Sequence, residues 1–239
     1  MTSRREFLKK AGLLTAAFTV PTLNTQGETT QSRLSLKNTK IAVDDRWDVI
    51  VVGGGPGGCA AAISAAREGA KTLLIEAMGQ LGGMGTAGMV PAWCPFSDGE
   101  KIIYKGIAER VFSESKKGVP HIHYDNWVPI NGEYLKVVYD DLVTSEGVSV
   151  LFFTTMAAVE MKRKGVVDAI VVANKAGLST YKAKVYIDCT GDGDLAAWAG
   201  ADFVIGDESG SVQEGTLCFT LSNVDPYEFS LIGNVHTNR

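Results

Sequence analysis

The stretch Asp48-Val-Ile-Val-Val-Gly-Gly-Gly-Pro-Gly-Gly58 decides the fold of this chain. Its residues 49–52 form an uninterrupted apolar run, which is typical of a parallel strand buried on both faces. The run leads into a G-x-G-x-x-G pattern made by Gly53, Gly55 and Gly58. In this pattern the first glycine permits a tight turn, the second lets a pyrophosphate approach the backbone, and the third lets a helix pack closely on the strand. The stretch therefore predicts a dinucleotide-binding turn between a strand and a helix.

The residues that follow complete this unit. Residues 59–67 are rich in alanine and predict a helix, whose N-terminus would present free N–H groups and a positive dipole end to phosphates. Gly69 ends the helix, and residues 71–75 predict a second strand. Glu76 follows that strand, where a carboxylate accepts hydrogen bonds from both ribose hydroxyls and repels a 2′-phosphate. Because all these parts occur in order, the pattern favours a nucleotide site over a glycine-rich turn without a ligand.

The composition is that of an ordinary globular protein. The chain has 239 residues, 45% of them hydrophobic and 21% charged, which leaves room for one large domain or for one domain and a smaller one. The formal net charge of −4 gives no support to nucleic-acid binding. We therefore expect no nucleic-acid partner.

The four cysteines give no sign of a metal centre. They form no C-x-x-C pair, and none stands beside a histidine at metal-ligand spacing, so no metal site is predicted. Cys59 and Cys189 fall inside predicted buried elements and are interpreted as small apolar residues. Cys94 lies in a predicted loop and could be reactive or, in an exported protein, paired.

The N-terminal region differs from the rest of the chain. Ser3-Arg-Arg-Glu-Phe-Leu-Lys9 resembles the twin-arginine export consensus, and the mildly apolar residues 11–20 that follow are too few to span a bilayer. Residues 1–27 are therefore interpreted as a signal peptide rather than an amphipathic helix. This predicts an exported, periplasmic protein with no stable membrane span in the mature chain. Residues 28–46 are polar and without periodicity, which predicts a linker.

The middle of the chain predicts a glycine-rich passage and two helices. Five glycines in residues 77–88 favour close passage along a cofactor over a merely flexible loop. Residues 102–117 show helical periodicity, and residues 119–130 form a loop that could contain a strand. Asn131 is the expected N-cap of a second helix over residues 134–145, which Gly147 would end.

Strand periodicity begins at residue 148. Residues 148–153, 156–161, 166–173 and 180–187 are four candidate strands, and glycine-containing turns separate the last three. They predict an antiparallel meander that leaves the nucleotide-binding domain and returns to it. Its last strand leads into a turn formed by Gly191 and Gly193, in which Asp192 or Asp194 would cap a short helix. This turn is either a capped junction alone or a second place where the chain passes close to the cofactor.

Together these motifs resemble the FAD-dependent oxidoreductases of the two-dinucleotide-binding-domain superfamily, above all the exported bacterial FAD-dependent oxidoreductase family. The resemblance covers roughly residues 45–225. The matching stretches are residues 49–58, Leu74-Ile-Glu76, Leu81-Gly-Gly83, Ile187-Asp-Cys-Thr-Gly-Asp-Gly-Asp-Leu195, Ala199-Gly-Ala201 and residues 213–219, the last as a strand.

The resemblance implies an α/β fold: a Rossmann-like FAD-binding parallel sheet with an antiparallel β-meander and an incomplete substrate domain. Residues 47–205 would form the FAD-binding domain, with the meander at about 148–187, and residues 206–239 would begin the substrate domain. Members of the family are usually much longer and contact the flavin ring with a later segment. The chain is therefore expected to be truncated at its C-terminus.

The resemblance also implies a role for each matched position. Gly53, Gly55 and Gly58 would hold the FAD pyrophosphate, with Pro56 and Gly57 of the same turn counted among the cofactor-binding residues. The other implied contacts are the adenosine ribose with Glu76, the ribityl chain with Gly82 and Gly83, the adenine edge with Met156 and Ala157, and the returning junction with Gly191 and Asp192.

The function implied is an FAD-dependent oxidoreductase that acts on a small organic substrate, with an unknown electron acceptor. The weak catalytic candidates are His121, His123 and Tyr124, because imidazole titrates near neutral pH, and then Cys94. Two alternatives stay open. One is a dinucleotide-binding remnant without catalysis, and the other is an NAD-dependent dehydrogenase, against which the meander argues.

Overall fold

The structure is a computed structural model that describes residues 41–90, 92–94, 100–101, 103–119 and 128–225. The strands are β1 (Ala42–Val52), β2 (Thr72–Ile75), β3 (Ala92–Trp93), β4 (Val128–Pro129), β5 (Ser149–Leu151), β6 (Thr155–Arg163), β7 (Val166–Asn174) and β8 (Gly177–Asp188). The helices are α1 (Pro56–Arg67), α2 (Ile107–Ser115), α3 (Gly132–Ser145) and α4 (Asp194–Trp198), with short 3-10 turns at Gly83–Gly85 and Lys116–Gly118.

Within the described residues, six strands form one sheet in the order β5-β2-β1-β8-β7-β6, and β3 and β4 form a separate antiparallel pair. The strands β5, β2, β1 and β8 run parallel, whereas β8, β7 and β6 form the antiparallel meander. Val52 at the end of β1 lies opposite Asp188 at the end of β8. The turns after these two strands therefore meet at one edge of the sheet, which is where ligands of open α/β sheets bind.

The first strand is buried on both faces, as its apolar run predicts. Ile50 and Val51 have no exposed surface. Val51 packs with Cys59, Ala62 and other residues of α1 and α3, whereas Ile50 packs on the opposite side with residues of the meander. Burial of one such aliphatic side chain contributes about 1.5–3 kcal/mol. The turn that carries the glycine motif is thus attached to the end of a strand that is buried on both faces.

Several predicted elements are confirmed. The helix after the glycine motif is α1, and the second strand is β2. Asn131 is the N-cap of α3, since its Oδ1 accepts a hydrogen bond from the Tyr134 N–H at 3.1 Å. Gly147 follows α3 with φ +76°, a conformation that favours glycine. Of the described helices, none is long and apolar enough to cross a membrane.

Two predictions near the ends of elements are wrong. The expected linker over residues 28–46 does not extend to residue 46, because β1 already begins at Ala42 and pairs with β8 from there. The helix expected over residues 102–117 begins only at Ile107. Gly106 precedes it with φ +68°, so residues 103–105 stay outside the helix.

Two strand predictions also need correction. The first of the four strands expected in the meander is β5, which pairs in parallel with β2, so the meander contains only β6, β7 and β8. This follows from the crossover through α3, which returns the chain to the parallel sheet. The strand expected over residues 213–219 is absent from the described chain, where residues 201–225 contain no helix or strand. These residues pair with none of the described strands, and Leu217 is 88% exposed.

Candidate cofactor-binding site

Backbone packing within the protein requires glycine at the first and third positions of the motif. Gly53 has φ +101°, and a Cβ atom added there would overlap the carbonyl oxygen of Cys189. A Cβ atom on Gly58 would overlap the carbonyl oxygen of Gly53. These two glycines let β1, α1 and the turn after β8 approach one another at backbone distance.

Packing against the described residues does not require glycine at the second position of the motif. Gly55 has φ −69°, which any residue adopts, and an added Cβ atom would meet only the Cα of Gly83, at 4.0 Å. A Cβ atom on Gly57 would meet no atom within 4 Å. Both residues line a cavity. None of the described residues fills the space that these glycines leave, which fits a group that approaches the backbone from the cavity.

The N-terminus of α1 faces the same cavity. Its N-cap is Gly55, which offers no side chain to the first-turn amides, and Pro56 at the first helical position has no N–H. The remaining N–H groups of the first turn carry the positive end of the helix dipole. Such an arrangement binds anions, and a pyrophosphate is the anion that the motif predicts.

The cavity has a volume of about 850 Å³. Backbone and small side chains form most of its wall. The lining residues are Gly53, Gly55, Pro56, Gly57, Glu76, Gly83, Met84, Ala87, Gly88, Asp188, Cys189, Thr190, Gly191, Gly193 and Ala196. None of these described residues is a lysine or an arginine, so backbone amides and the helix dipole are the positive groups that the wall offers to phosphates.

The turn after β8 returns to the first turn, as predicted. The Cys189 N–H donates to the Val52 carbonyl oxygen at 2.8 Å, and Cys189 contacts the first glycines through the close approaches described above. Asp188 organises this turn. Its Oδ1 accepts from the Thr190 N–H at 3.0 Å and from the Thr190 hydroxyl at 2.8 Å, and its Oδ2 accepts from the Ala196 N–H at 2.8 Å.

These bonds determine the charge state of Asp188. Burial alone would raise the pKa of this carboxyl, but the amides of Ala196, Thr190 and Leu195 and the Thr190 hydroxyl outweigh burial and hold the pKa below its usual value.

The prediction that Asp192 or Asp194 caps the short helix is wrong. The N-cap of α4 is Gly193, with φ +74° and no side-chain cap, and neither Asp192 nor Asp194 takes that role. The Asp194 N–H instead donates to the Thr190 hydroxyl oxygen at 3.0 Å.

Glu76 lies between the large cavity and a smaller cleft. Its Oε2 accepts from the Gly54 N–H at 2.6 Å, and its Oε1 accepts from the Met78 N–H at 2.6 Å. A carboxylate oxygen can accept a second hydrogen bond, so ribose hydroxyls can still bind. The smaller cleft measures about 150 Å³, and Thr154, Thr155 and Met156 form its other wall. A cavity of about this volume holds one ring system.

The glycine-rich passage lies against the motif. The Gly82 N–H donates to the Gly54 carbonyl oxygen at 2.9 Å, and a Cβ atom on Gly83 would come within 3.0 Å of the Gly55 Cα. Gly83 lines the cavity, whereas a Cβ atom on Gly82 would meet the side chains of Thr86 and Tyr139 in the interior. Of the predicted pair, Gly83 is thus the residue that faces the cavity.

The other predicted site residues divide into three groups. Met156 lines the smaller cleft and Gly191 the large cavity. Ala157 and Asp192 are exposed and line neither, and Ala157 occupies a bulge where the register passes from Met156 opposite Val172 to Ala158 opposite Val171. Cys94 is exposed and free. His121, His123 and Tyr124 lie outside the described residues.

The cysteine interpretation is half right. Cys59 is fully buried, its Sγ donates to the Gly54 carbonyl oxygen at 3.3 Å, and burial raises the pKa of its thiol to about 12. Cys189 is only half-buried and lines the cavity. Burial and then the charge of Asp188 raise the pKa of the Cys189 thiol.

The described residues hold no group of three or more His, Cys, Asp or Glu side chains that could bind a metal ion.

Sequence reasoning missed several wall residues, among them Met84, Ala87, Gly88 and Asp188. The signal for Gly88 was present, because it is the last glycine of the passage over residues 77–88. Asp188 was part of the matched motif but had no assigned role. Met84 and Ala87 carry no signal of their own, since their place on the wall depends on the fold of the passage.

The fold and the cavity together define a dinucleotide-binding α/β domain with an antiparallel meander. The profile of the family described as "FAD dependent oxidoreductase" matches residues 48–238. The chain therefore belongs to this family, whose cofactor is FAD and whose members are oxidoreductases. The predicted family class, fold class and cofactor are confirmed.

Curated relatives match over short segments. Mitochondrial dihydrolipoyl dehydrogenase of Pisum sativum is 49% identical over 57 residues, which are 23% of this chain and 11% of that protein. Fumarate reductase (cytochrome) of Shewanella frigidimarina is 39% identical over 85 residues, 34% of this chain and 14% of that protein. The matched segments thus span only about a tenth of the length of these relatives.

Solved structures of similar fold include a geranylgeranyl bacteriochlorophyll reductase-like protein from Thermoplasma acidophilum. It is 23% identical with a TM-score of 0.48, and the alignment covers 66% of this chain and 43% of that one. THI4 of Thermovibrio ammonificans is 18% identical with a TM-score of 0.47, over 64% of this chain and 61% of that one.

Proposed function

We propose that this chain binds FAD in the 850 Å³ cavity and serves an oxidoreductase that acts on a small organic substrate. The observation that carries the proposal is the space at Gly55 and Gly57. No described residue fills this space, the backbone conformation at Gly55 is open to other residues, and the amides of the α1 N-terminus border it. Glycine at these positions is explained by a bound group and not by packing.

Each part of the cofactor has a proposed partner. The first-turn amides of α1 beside Gly55 and Gly57 hold the pyrophosphate, and the Glu76 carboxylate accepts from the adenosine ribose. Gly83 borders the ribityl chain, and the main chain near Met156 contacts the adenine. When bound, FAD supplies the redox chemistry, and the residues of this chain bind it, orient it and exclude water around it.

The two acids on the wall have separate roles in this proposal. Glu76 keeps one free lone pair on each oxygen for a ligand hydroxyl, whereas Asp188 uses its oxygens to hold the turn after β8. Glu76 also disfavours a 2′-phosphate, which argues against NADP-type ligands. Proton transfer to the substrate is assigned to His121, His123 or Tyr124, with Cys94 as a weaker candidate, and the electron acceptor is a separate molecule.

The decisive experiment replaces Gly55 by valine in the full chain. Because the backbone at Gly55 is ordinary and an added Cβ atom meets no close neighbour, the variant should fold, and the change of N-cap residue should lower apo stability by no more than about 1 kcal/mol. Its side chain enters the pyrophosphate space, so FAD affinity should fall at least about 100-fold, or about 2.7 kcal/mol. Flavin fluorescence quenching measures the affinity, and urea unfolding without cofactor measures the stability.

Gly215→Val is the matched control, since Gly215 is exposed, has ordinary φ and lines neither cavity. It should bind FAD as the wild type does. Wild-type FAD affinity in Gly55→Val would overturn the pyrophosphate assignment. A wild-type chain that binds NAD but not FAD would instead favour the NAD-dependent dehydrogenase, and one that binds FAD without any turnover would favour the non-catalytic alternative.

We further propose that the protein is exported to the periplasm by the twin-arginine route. Support comes from the sequence of residues 3–9 and from the mildly apolar residues after it. Residues 1–40 fused to a reporter that is active only after export should deliver it in a bacterial host. Replacing both Arg4 and Arg5 by lysine should abolish export, whereas Arg33→Lys, outside the consensus, should not. Export that survives the double replacement would contradict the proposal.

A further inference from the structure

Phe153, which links β5 to β6, combines two unfavourable features. Its backbone has φ +49°, a conformation that costs a bulky residue about 1–2 kcal/mol. Its side chain is 72% exposed, so burial does not offset that cost. Such a residue persists only where the surrounding structure holds it, and it marks a position with a specific task.

Phe153 contacts the turn that carries Glu76 through both its backbone and its ring. The Phe153 N–H donates to the Met78 carbonyl oxygen at 3.1 Å, and the next amide, of Thr154, donates to the Glu76 carbonyl oxygen at 3.0 Å. The left-handed conformation at Phe153 is what lets two successive amides point to this turn. The ring of Phe153 lies over Gly79, where an added Cβ atom would overlap its Cζ.

This arrangement joins the two walls of the smaller cleft. Glu76 and Ala77 form one wall, and Thr154, Thr155 and Met156 form the other. Phe153 immediately precedes the second wall and is bonded to the turn that follows the first. The position of the Glu76 carboxylate against the cleft therefore depends on this connection, since Oε1 of Glu76 is itself bonded to the Met78 N–H.

We propose that Phe153 is a positioning residue that holds the turn of residues 76–79 in the shape required by the adenosine half of FAD, and so sets the preference for FAD over FMN. The inference rests on the proposed FAD site. It concerns only the half of the cofactor that FMN lacks, because the walls that Phe153 joins border the ribose-binding carboxylate and the ring-sized cleft.

The test compares three ligands on the full chain: FAD, ADP and FMN. Phe153→Gly removes the ring and relieves the left-handed backbone, so apo stability should not fall. Its FAD and ADP affinities should both fall about tenfold, while the FMN affinity stays the same. Phe153→Leu keeps an apolar side chain beside Gly79, so its FAD and ADP affinities should fall less than those of Phe153→Gly, with the FMN affinity again unchanged.

A second variant changes the same contact at Gly79 instead of at Phe153. Gly79→Ala places a methyl group where the Phe153 ring lies and should displace the ring, with the same selective loss of FAD and ADP binding. In the Phe153→Gly background, Gly79→Ala should add no further loss, because the ring is already absent. Phe203→Gly is the control, since Phe203 is 66% exposed in the irregular C-terminal segment.

The outcomes separate this inference from the FAD proposal. Equal loss for all three ligands, or lowered apo stability without ligand selectivity, would show a merely structural role and overturn the inference. Unchanged binding of all three ligands by Phe153→Gly would overturn it as well. A wild-type chain that binds neither FAD nor ADP would overturn the FAD proposal together with the inference.

Discussion

Two turns at adjacent parallel strands of this protein are built in opposite ways. The turn after β1 leads into α1, and the turn after β8 leads into α4. In the second turn the side chains of Asp188 and Thr190 accept hydrogen bonds from amides at the start of α4. In the first turn the N-cap is Gly55, which has no side chain, and among the described residues no side chain accepts a hydrogen bond from the amides at the start of α1.

The difference shows which turn is open to a ligand and which turn supports the other. Amides that a protein satisfies internally are not available to a ligand, whereas uncapped amides at a helix start attract an anion. The turn after β8 therefore forms one wall of the cavity. Its Cys189 carbonyl oxygen lies so close to Gly53 that only glycine fits there. The predictions below alter one turn at a time, from the largest expected effect to the smallest.

The largest effect is expected for Gly58→Val in the first turn. Its Cβ atom would overlap the Gly53 carbonyl oxygen, so α1 must move away from β1 and from its buried packing. Apo stability should fall by about 3 kcal/mol or more, measured by urea unfolding. Gly57→Ala is the control, because its Cβ atom meets nothing within 4 Å, and it should not destabilise the chain. Equal stability of the two variants would show that the close approach at Gly58 is not required.

Much of the first turn could be predicted from the sequence, because its determinants are local. The apolar run, the glycine spacing and Glu76 lie within one strand–helix–strand unit, and most of their physical requirements concern residues close in the chain. The exception is Gly53, where the carbonyl oxygen of the distant Cys189 leaves no room for a Cβ atom. The N-cap Asn131 is predictable for the same reason. Local chemistry therefore predicted a dinucleotide site and its main binding turn, whereas FAD was implied by the family resemblance.

The rest depends on contacts between distant parts of the chain. The pairing of β5 with β2 is decided by the crossover through α3, and residues 148–153 alone do not distinguish it from a meander strand. The bond of Glu76 to Gly54 joins residues 22 apart. The role of Asp188 was missed because a carboxylate at a strand end can cap a helix or bind a ligand, and only the structure shows which amides it faces.

The second prediction removes the support of the turn after β8. Asp188→Ala leaves the amides of Thr190 and Ala196 and the Thr190 hydroxyl without their acceptor. Hydrogen bonds to a charged group contribute about 1.5–3 kcal/mol, and the variant should lose stability of this order in urea unfolding. Asp192→Ala, which changes an exposed acid of the same turn, should change stability by less than about 0.5 kcal/mol. A larger loss for Asp192→Ala would contradict the assignment.

The third prediction concerns pH. Because the folded pKa of Asp188 lies below its usual value, its charged form stabilises the fold at pH values above the unfolded pKa of about 3.9. This contribution should decrease as the pH falls below about 4 and protonation begins in the unfolded chain first. The stability difference between wild type and Asp188→Ala, measured by urea unfolding across pH, should therefore be constant near neutrality and shrink in acid. A difference that grows in acid would contradict the sign of the pKa shift.

The smallest effect is expected from salt on cofactor binding at the first turn. No lysine or arginine is among the described residues that line the two cavities, so amides and the helix dipole are the groups that meet the pyrophosphate. Salt screens exposed charges over a Debye length of about 10 Å at 0.1 M, but it affects short amide–phosphate hydrogen bonds much less. FAD affinity, measured by fluorescence quenching from about 0.05 M to about 0.5 M salt, should therefore change by less than about twofold. A tenfold loss would show that a cationic side chain from outside the described residues reaches the phosphates, and the first turn would then not bind them by its amides alone.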